Sequence, residues 1–104
     1  MTGWKVVVTA VAERDLTDAM AYIRDRLGSL AAALRLLDEF EARVQDLSNH
    51  PEAYPRVREA RLSSLGYRWA SVGGYMAFFT TDRRSGTVTI ERLLYGRSNW
   101  RAVL

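Results

Sequence analysis

The chain has 104 residues, 48% hydrophobic and 26% charged, the balance of an ordinary globular chain with enough length for one modest core. With no cysteine and one histidine, it offers no disulfide, no thiol chemistry and a poor ligand set for structural zinc. The formal charge of +3 is unevenly spread: residues 1–50 carry six basic and eight acidic side chains, and residues 51–104 carry nine basic, all arginine, and four acidic.

Trp4 to Thr9 is β-branched and uninterrupted, and predicts a first strand. From Ala10 the period turns helical. Ala12, Leu16, Ala19, Ile23 and Leu27 form one stripe, which Gly28 ends. Ser29 is placed to cap a second helix whose stripe is Ala33, Leu37, Phe40, Val44 and Leu47. The short Gly28-Ser29 connection makes the two an antiparallel hairpin, and Pro51 stops the second. Residues 50–64 are expected to be irregular.

The period then falls to two. Leu65 to Val72 predicts a strand, Gly73-Gly74 a two-residue turn, and Tyr75 to Thr81 the returning strand. Asp82 to Gly86 is a polar turn, and the last strand starts at Thr87, with Val88, Ile90 and Leu94 on its buried face. The order β-α-α-β-β-β predicts an α+β fold: a single domain over 1–104, with an antiparallel sheet and the helical hairpin packed on one face. The other face is expected to be partly open, and with its rim to form the working surface. No apolar run reaches the roughly 20 residues of a membrane span, and the N-terminal stretch lacks a signal-peptide pattern. A cytoplasmic address, no membrane, no metal and no cofactor are therefore expected.

Arginine grips phosphate or carboxylate with a flat fork and stacks on rings, so the arginines of the second half are the candidate site residues. Arg68, Tyr95 and Arg97 are the first group, able to stabilise an anion and to stack under a base. The bland alternative is a solvated sheet face with arginine stems over tyrosine rings. Arg56, Arg58 and Arg61 form a second group in the 50–64 loop, set against partial neutralisation by Glu52 and Glu59. Trp100 and Arg101 in the tail extend this second group as target-binding candidates.

Arg92 falls on the same parity as Val88 and Ile90, so either a bulge turns it out or a helix carboxylate pairs with it. His50, ahead of Pro51, reads as a helix-end residue rather than a general base. Trp69, Tyr67, Tyr75, Phe78 and Phe79 read as sheet core and cross-strand pairs.

Taken together, the element order, Leu62-Ser-Ser-Leu-Gly-Tyr-Arg-Trp69, Val72-Gly-Gly-Tyr-Met-Ala-Phe-Phe79 and the ending Arg92-Leu-Leu-Tyr-Gly-Arg97 resemble the RelE/ParE superfamily, the toxins of bacterial type II toxin–antitoxin systems. The resemblance implies a cytosolic toxin neutralised by an antitoxin that lays a helix and an extended segment across its surface. It offers two targets: RelE- and YoeB-like members cut mRNA in the ribosomal A site, whereas ParE-like members inhibit DNA gyrase without nuclease chemistry.

Against the nuclease pattern, Arg68 fills one basic position of the second strand, but Ala70 supplies nothing two residues on. Met76 stands after Tyr75 where RelE-type chains place an arginine, and Gly96-Arg97 stands where YoeB-type chains place His-Tyr. Tyr95-Gly-Arg97 resembles the His-Gly-Arg ending of ParE-like chains. Tyr95, Arg97 and Arg68 therefore remain as catalytic candidates without a general acid or base. Ribosome-dependent mRNA cleavage and gyrase inhibition both stay open, as does a member that binds its antitoxin and has lost toxicity. Trp100, expected to be exposed, and apolar positions left uncovered by the helices are the expected antitoxin contacts.

Overall fold

A computed structural model describes residues 3–104. The strands are β1 (Lys5–Val8), β2 (Arg68–Val72), β3 (Tyr75–Asp82) and β4 (Thr87–Tyr95). The helices are α1 (Ala10–Asp25), α2 (Leu30–Asn49), the short α3 (Ala60–Ser64) and the four-residue α4 (Trp100–Val103). A single 3-10 turn, Pro51–Ala53, follows α2.

The helical hairpin forms as its caps dictate. Thr9 Oγ1 accepts from the Ala12 amide at 3.0 Å, and Ser29 Oγ from the Ala32 amide at 3.0 Å, each satisfying an orphan donor of a first turn. Gly28, at φ 69°, makes the reversal that a residue with a Cβ resists. Ala12, Ala19, Ala33, Phe40 and Leu47 are buried against the sheet as the stripes require, together with Leu36. Leu37, expected in the stripe, is only half-buried, and Leu27 lies beyond the helix and is exposed.

The sheet has four strands in the order β1-β4-β3-β2. β2, β3 and β4 form the expected antiparallel meander, but β1 joins β4 in parallel, so the sheet is mixed rather than antiparallel. The helical hairpin is the cause. It returns the chain to where β1 began, as the 2.7 Å bond from the Trp4 amide to Ser48 O records. β2 then starts at that end, and two reversals leave β4 running with β1.

A bulge in β4 changes which residues are buried. Phe78 faces Arg92 and Phe79 faces Ile90, which leaves Glu91 as the extra residue. Beyond it the parity inverts. Leu93, 2% exposed, joins Val88 and Ile90 in the core under the helices, and Leu94 turns to the opposite face, contrary to the plain alternation. Arg92, opposite Phe78, is accordingly sent to that second face, and it reaches Asp15 of α1 past the end of β1, whose pairing with β4 stops at Val8 and Ile90. Its guanidinium donates to both oxygens of Asp15 at 2.7 and 3.1 Å, and Asp15 also accepts from the Leu93 amide at 3.0 Å.

The second face of the sheet is less open than the sequence suggested. Segment 50–64 is not wholly irregular, because Glu59 caps α3 by accepting from the Leu62 amide at 2.8 Å. Val57, Leu62 and Trp100 then pack on Phe78 as a second, smaller core. Trp100 is 7% exposed, with its ring centroid 5.0 Å from that of Phe78, so it is a buried anchor and not the exposed contact expected.

Candidate target-binding groove

Beside this small core, toward β2, lies a depression of about 370 Å³ lined by Pro55, Arg56, Val57, Arg58, Trp69, Met76, Trp100 and Arg101. Three separate segments build it. Residues 55–57 run alongside β2, with the Val57 amide donating to Tyr67 O at 2.9 Å and the Trp69 amide to Pro55 O at 3.2 Å. The pairing sets Arg56 opposite Arg68 and turns Val57 to the small core, and Arg56 and Arg58 both belong to the lining of the depression. The floor is Trp69 and Met76, which share the face of Phe78. Trp100 anchors α4 across that face and carries Arg101 to the opposite rim, where the guanidinium carbon sits 4.2 Å from the Trp100 ring centroid.

The electrostatics of the groove are one-sided. No carboxylate lines it. The two acids expected to neutralise the loop arginines are engaged elsewhere: Glu59 caps α3, and Glu52 takes a two-pronged pair with Arg83 at 2.7 and 3.1 Å. The Arg83 hydrogen bonds hold the Glu52 carboxyl below the usual carboxylate range. Among the described residues the three ion pairs leave out Arg56, Arg58 and Arg101. Arg56 keeps its place by donating to Ser63 O at 3.1 Å. Arg61 lies apart from the lining and donates to Leu104 O at 3.5 Å.

Arg68, Tyr95 and Arg97 do not come together. Arg68 pairs with Phe79 across the sheet, so it lies on the helix-covered face, where its Nη1 donates to Tyr54 O at 2.6 Å. Tyr95 sits at the Gly73-Gly74 end, opposite Tyr75, with ring centroids 5.5 Å apart. Four residues along the strand and two strand spacings separate it from Arg68, roughly 16 Å. Arg97 is exposed in the turn after Gly96, whose amide donates to Gly74 O at 2.9 Å. Tyr95 lines a different hollow, of about 600 Å³, with Tyr22, Ile23, Leu27, Gly74 and Tyr75.

Reasoning from the sequence set Trp69 down as core and overlooked Met76. Their alternation with Ala70 and Ala77, both buried on the helix side, is the signal that places them on the other face. Chemically, the groove offers fixed positive charge over an aromatic floor. Its lining holds no histidine, carboxylate or tyrosine to move a proton.

Residues 6–100 match the family described as the ParE toxin of the type II toxin–antitoxin system parDE. The chain belongs to the ParE toxin family. Solved structures agree with that membership. One chain of the toxin–antitoxin complex RelBE2 from Mycobacterium tuberculosis is 26% identical, with a TM-score of 0.57, over 91% of this chain and 93% of that one. One chain of the chromosomal ParDE toxin–antitoxin system from P. aeruginosa has a TM-score of 0.71 at 18% identity, over 88% of this chain and 95% of that one, a likeness of fold. No curated protein matches the sequence. This ParE-family chain is thus a type II toxin, with the α+β architecture of its structural neighbours. No helix among the described residues is long and apolar enough to cross a membrane.

Proposed function

We propose that this toxin arrests growth in the cytoplasm by gripping DNA gyrase through the basic groove, without bond-making chemistry of its own, and that a cognate antitoxin holds it in check. The observation that carries the reading is the groove itself: three arginines around Trp69, Met76 and Trp100, with no proton-transfer group in the lining. Such a surface holds an anionic or carboxylate-bearing partner by forked, stacked contacts. It does not supply the base and acid that cleavage of a phosphodiester by a 2′-hydroxyl needs. Membership of the ParE family supports the same target, and the neighbours' occurrence in toxin–antitoxin complexes supports the antitoxin.

The test is a supercoiling assay with purified gyrase. Inhibition with accumulation of cleaved complex is expected, and it should be lost when Arg56, Arg58 and Arg101 are replaced together by alanine. Gyrase that is indifferent to excess toxin would sink the proposal.

The likeness to a RelBE2 chain favours a second reading, in which the same groove holds mRNA on the ribosome. Codon-positioned cuts in transcripts, seen by primer extension after induction, are its signature. Growth that continues unchanged on induction without any antitoxin identifies a member that has lost toxicity.

A further inference from the structure

Arg68, a catalytic candidate by sequence, is absent from the groove lining. Its Nη1 donates instead to Tyr54 O at 2.6 Å, on the helix-covered face. Tyr54 is gripped from two further sides. Its hydroxyl donates to the Asp46 carboxylate and accepts from Arg43 Nη1 at 3.2 Å, both residues of α2. Its ring stands edge-on to Phe79 of β3, with centroids 5.8 Å apart. Arg43 ties this cluster to β2 as well, donating from Nε to Ser71 O at 3.0 Å. The segment that begins one residue after Tyr54 carries Arg56 and Arg58 of the groove. Two backbone bonds hold it to the edge of the sheet, from the Trp69 amide to Pro55 O and from the Val57 amide to Tyr67 O. So short a pairing opens readily by itself. The contacts on Tyr54 involve ionised partners and are the stronger restraint.

We propose that Arg68 and Tyr54 are positioning residues for the groove: from the helix-covered face they fix the segment that presents Arg56 and Arg58, and neither touches the target. The proposal rests on the gripping of a target by the groove and gives Arg68 a part in it that needs no bond-making chemistry. Arg68 acts through the backbone of Tyr54, and Arg56 lies directly opposite it across the sheet edge. The Tyr54 hydroxyl acts through α2, so the last turns of that helix and the groove are mechanically joined. Exposed arginines on a fraying segment would have to be ordered by the target at an entropic cost, and the cluster on Tyr54 removes that cost beforehand.

The test uses the full chain, with amide hydrogen exchange by NMR, titration with inorganic tripolyphosphate followed at the arginine Nε resonances, and inhibition of purified gyrase. Tyr54→Phe keeps the ring on Phe79 and removes only the hydroxyl. It should speed exchange at Val57 and Trp69 by about tenfold or more, while the Lys5 and Thr9 amides bonded to β4 stay as in the native chain. Tripolyphosphate binding and gyrase inhibition should each weaken by about threefold or more. Arg68→Ala should do the same, and the double variant should lose no more than the stronger single, because both act through one segment. Asp46→Asn, which keeps an acceptor for the hydroxyl, should behave much more nearly like the native chain than Asp46→Ala. Unchanged exchange at Val57 and Trp69 in Tyr54→Phe would overturn the proposal, as would faster exchange with undiminished tripolyphosphate binding. The same changes in Asp15→Asn, which lowers stability from outside this cluster, would reduce the effect to general destabilisation and overturn it. Multiplying losses in the double variant would show Arg68 acting by a contact of its own and overturn it too. A native chain that binds tripolyphosphate but leaves gyrase untouched refutes the target alone, and the exchange and anion measurements still decide the positioning.

Discussion

Trp100→Ala tests whether α4 is held on the sheet and with it one rim of the groove. The indole is 7% exposed and rests on Phe78, Val57 and Leu62. A buried aromatic side chain removes roughly 150–250 Å² from water, and at about 25 cal/mol per Å² this is roughly 4–6 kcal/mol as an upper bound. Correcting by about 10–40% for a denatured chain that is already partly collapsed brings it to roughly 2–5 kcal/mol. Large-to-small aromatic substitutions cost about 3–5 kcal/mol, and a four-residue helix can fray to relieve part of the loss. We therefore expect about 3 kcal/mol from urea unfolding followed by far-UV circular dichroism, and about 1 kcal/mol for Trp100→Phe, which keeps a ring over Phe78. Domains of this size are stable by roughly 5–15 kcal/mol, so the alanine variant stays mostly folded and its activity can be read. It should lose gyrase inhibition, because Arg101 is no longer placed. Arg101→Ala should lose inhibition with almost no change in stability. A Trp100→Ala cost below about 1 kcal/mol would mean that α4 is not docked, and the groove would lose that rim.

Three further outcomes follow from the packing. Asp15→Ala leaves the half-buried Arg92 guanidinium unpaired and the Leu93 amide without its acceptor, and should cost about 2–4 kcal/mol in urea unfolding, with Asp15→Asn costing less. Leu93→Ala should cost about 3 kcal/mol and Leu94→Ala clearly less, since the bulge puts only Leu93 in the main core; the reverse order would disprove the bulge. Burial first, and then the hydrogen bond to Asp46, raise the Tyr54 hydroxyl pKa above its ordinary value near 10.0. The folded state thus favours the protonated phenol, so its stabilisation is full below pH 10 and is lost as pH rises through the folded pKa. Thermal melts should fall more steeply above pH 10 for the native chain than for Tyr54→Phe.

Much of the fold was legible because its signals are local. Gly28-Ser29 and Gly73-Gly74 reverse the chain wherever they occur, Thr9 and Ser29 are caps by their own chemistry, and the apolar periods need no partner to be read. The β4 bulge was only half legible. Arg92 on a buried parity signalled an irregularity, but nothing in Glu91-Arg92-Leu93-Leu94 says which residue is extra. That choice depends on Asp15, 77 residues away along the chain from Arg92. The parallel placement of β1 was hidden for a similar reason, since it follows from where α2 ends.

The site divides in the same way. Loop and tail arginines could be grouped as target-binding candidates from the order of elements. The burial of Trp100 could not, because it depends on Leu62 and Val57 closing over Phe78. Arg68 was misleading since strand parity, set by its pairing with Phe79, sends it to the helix side.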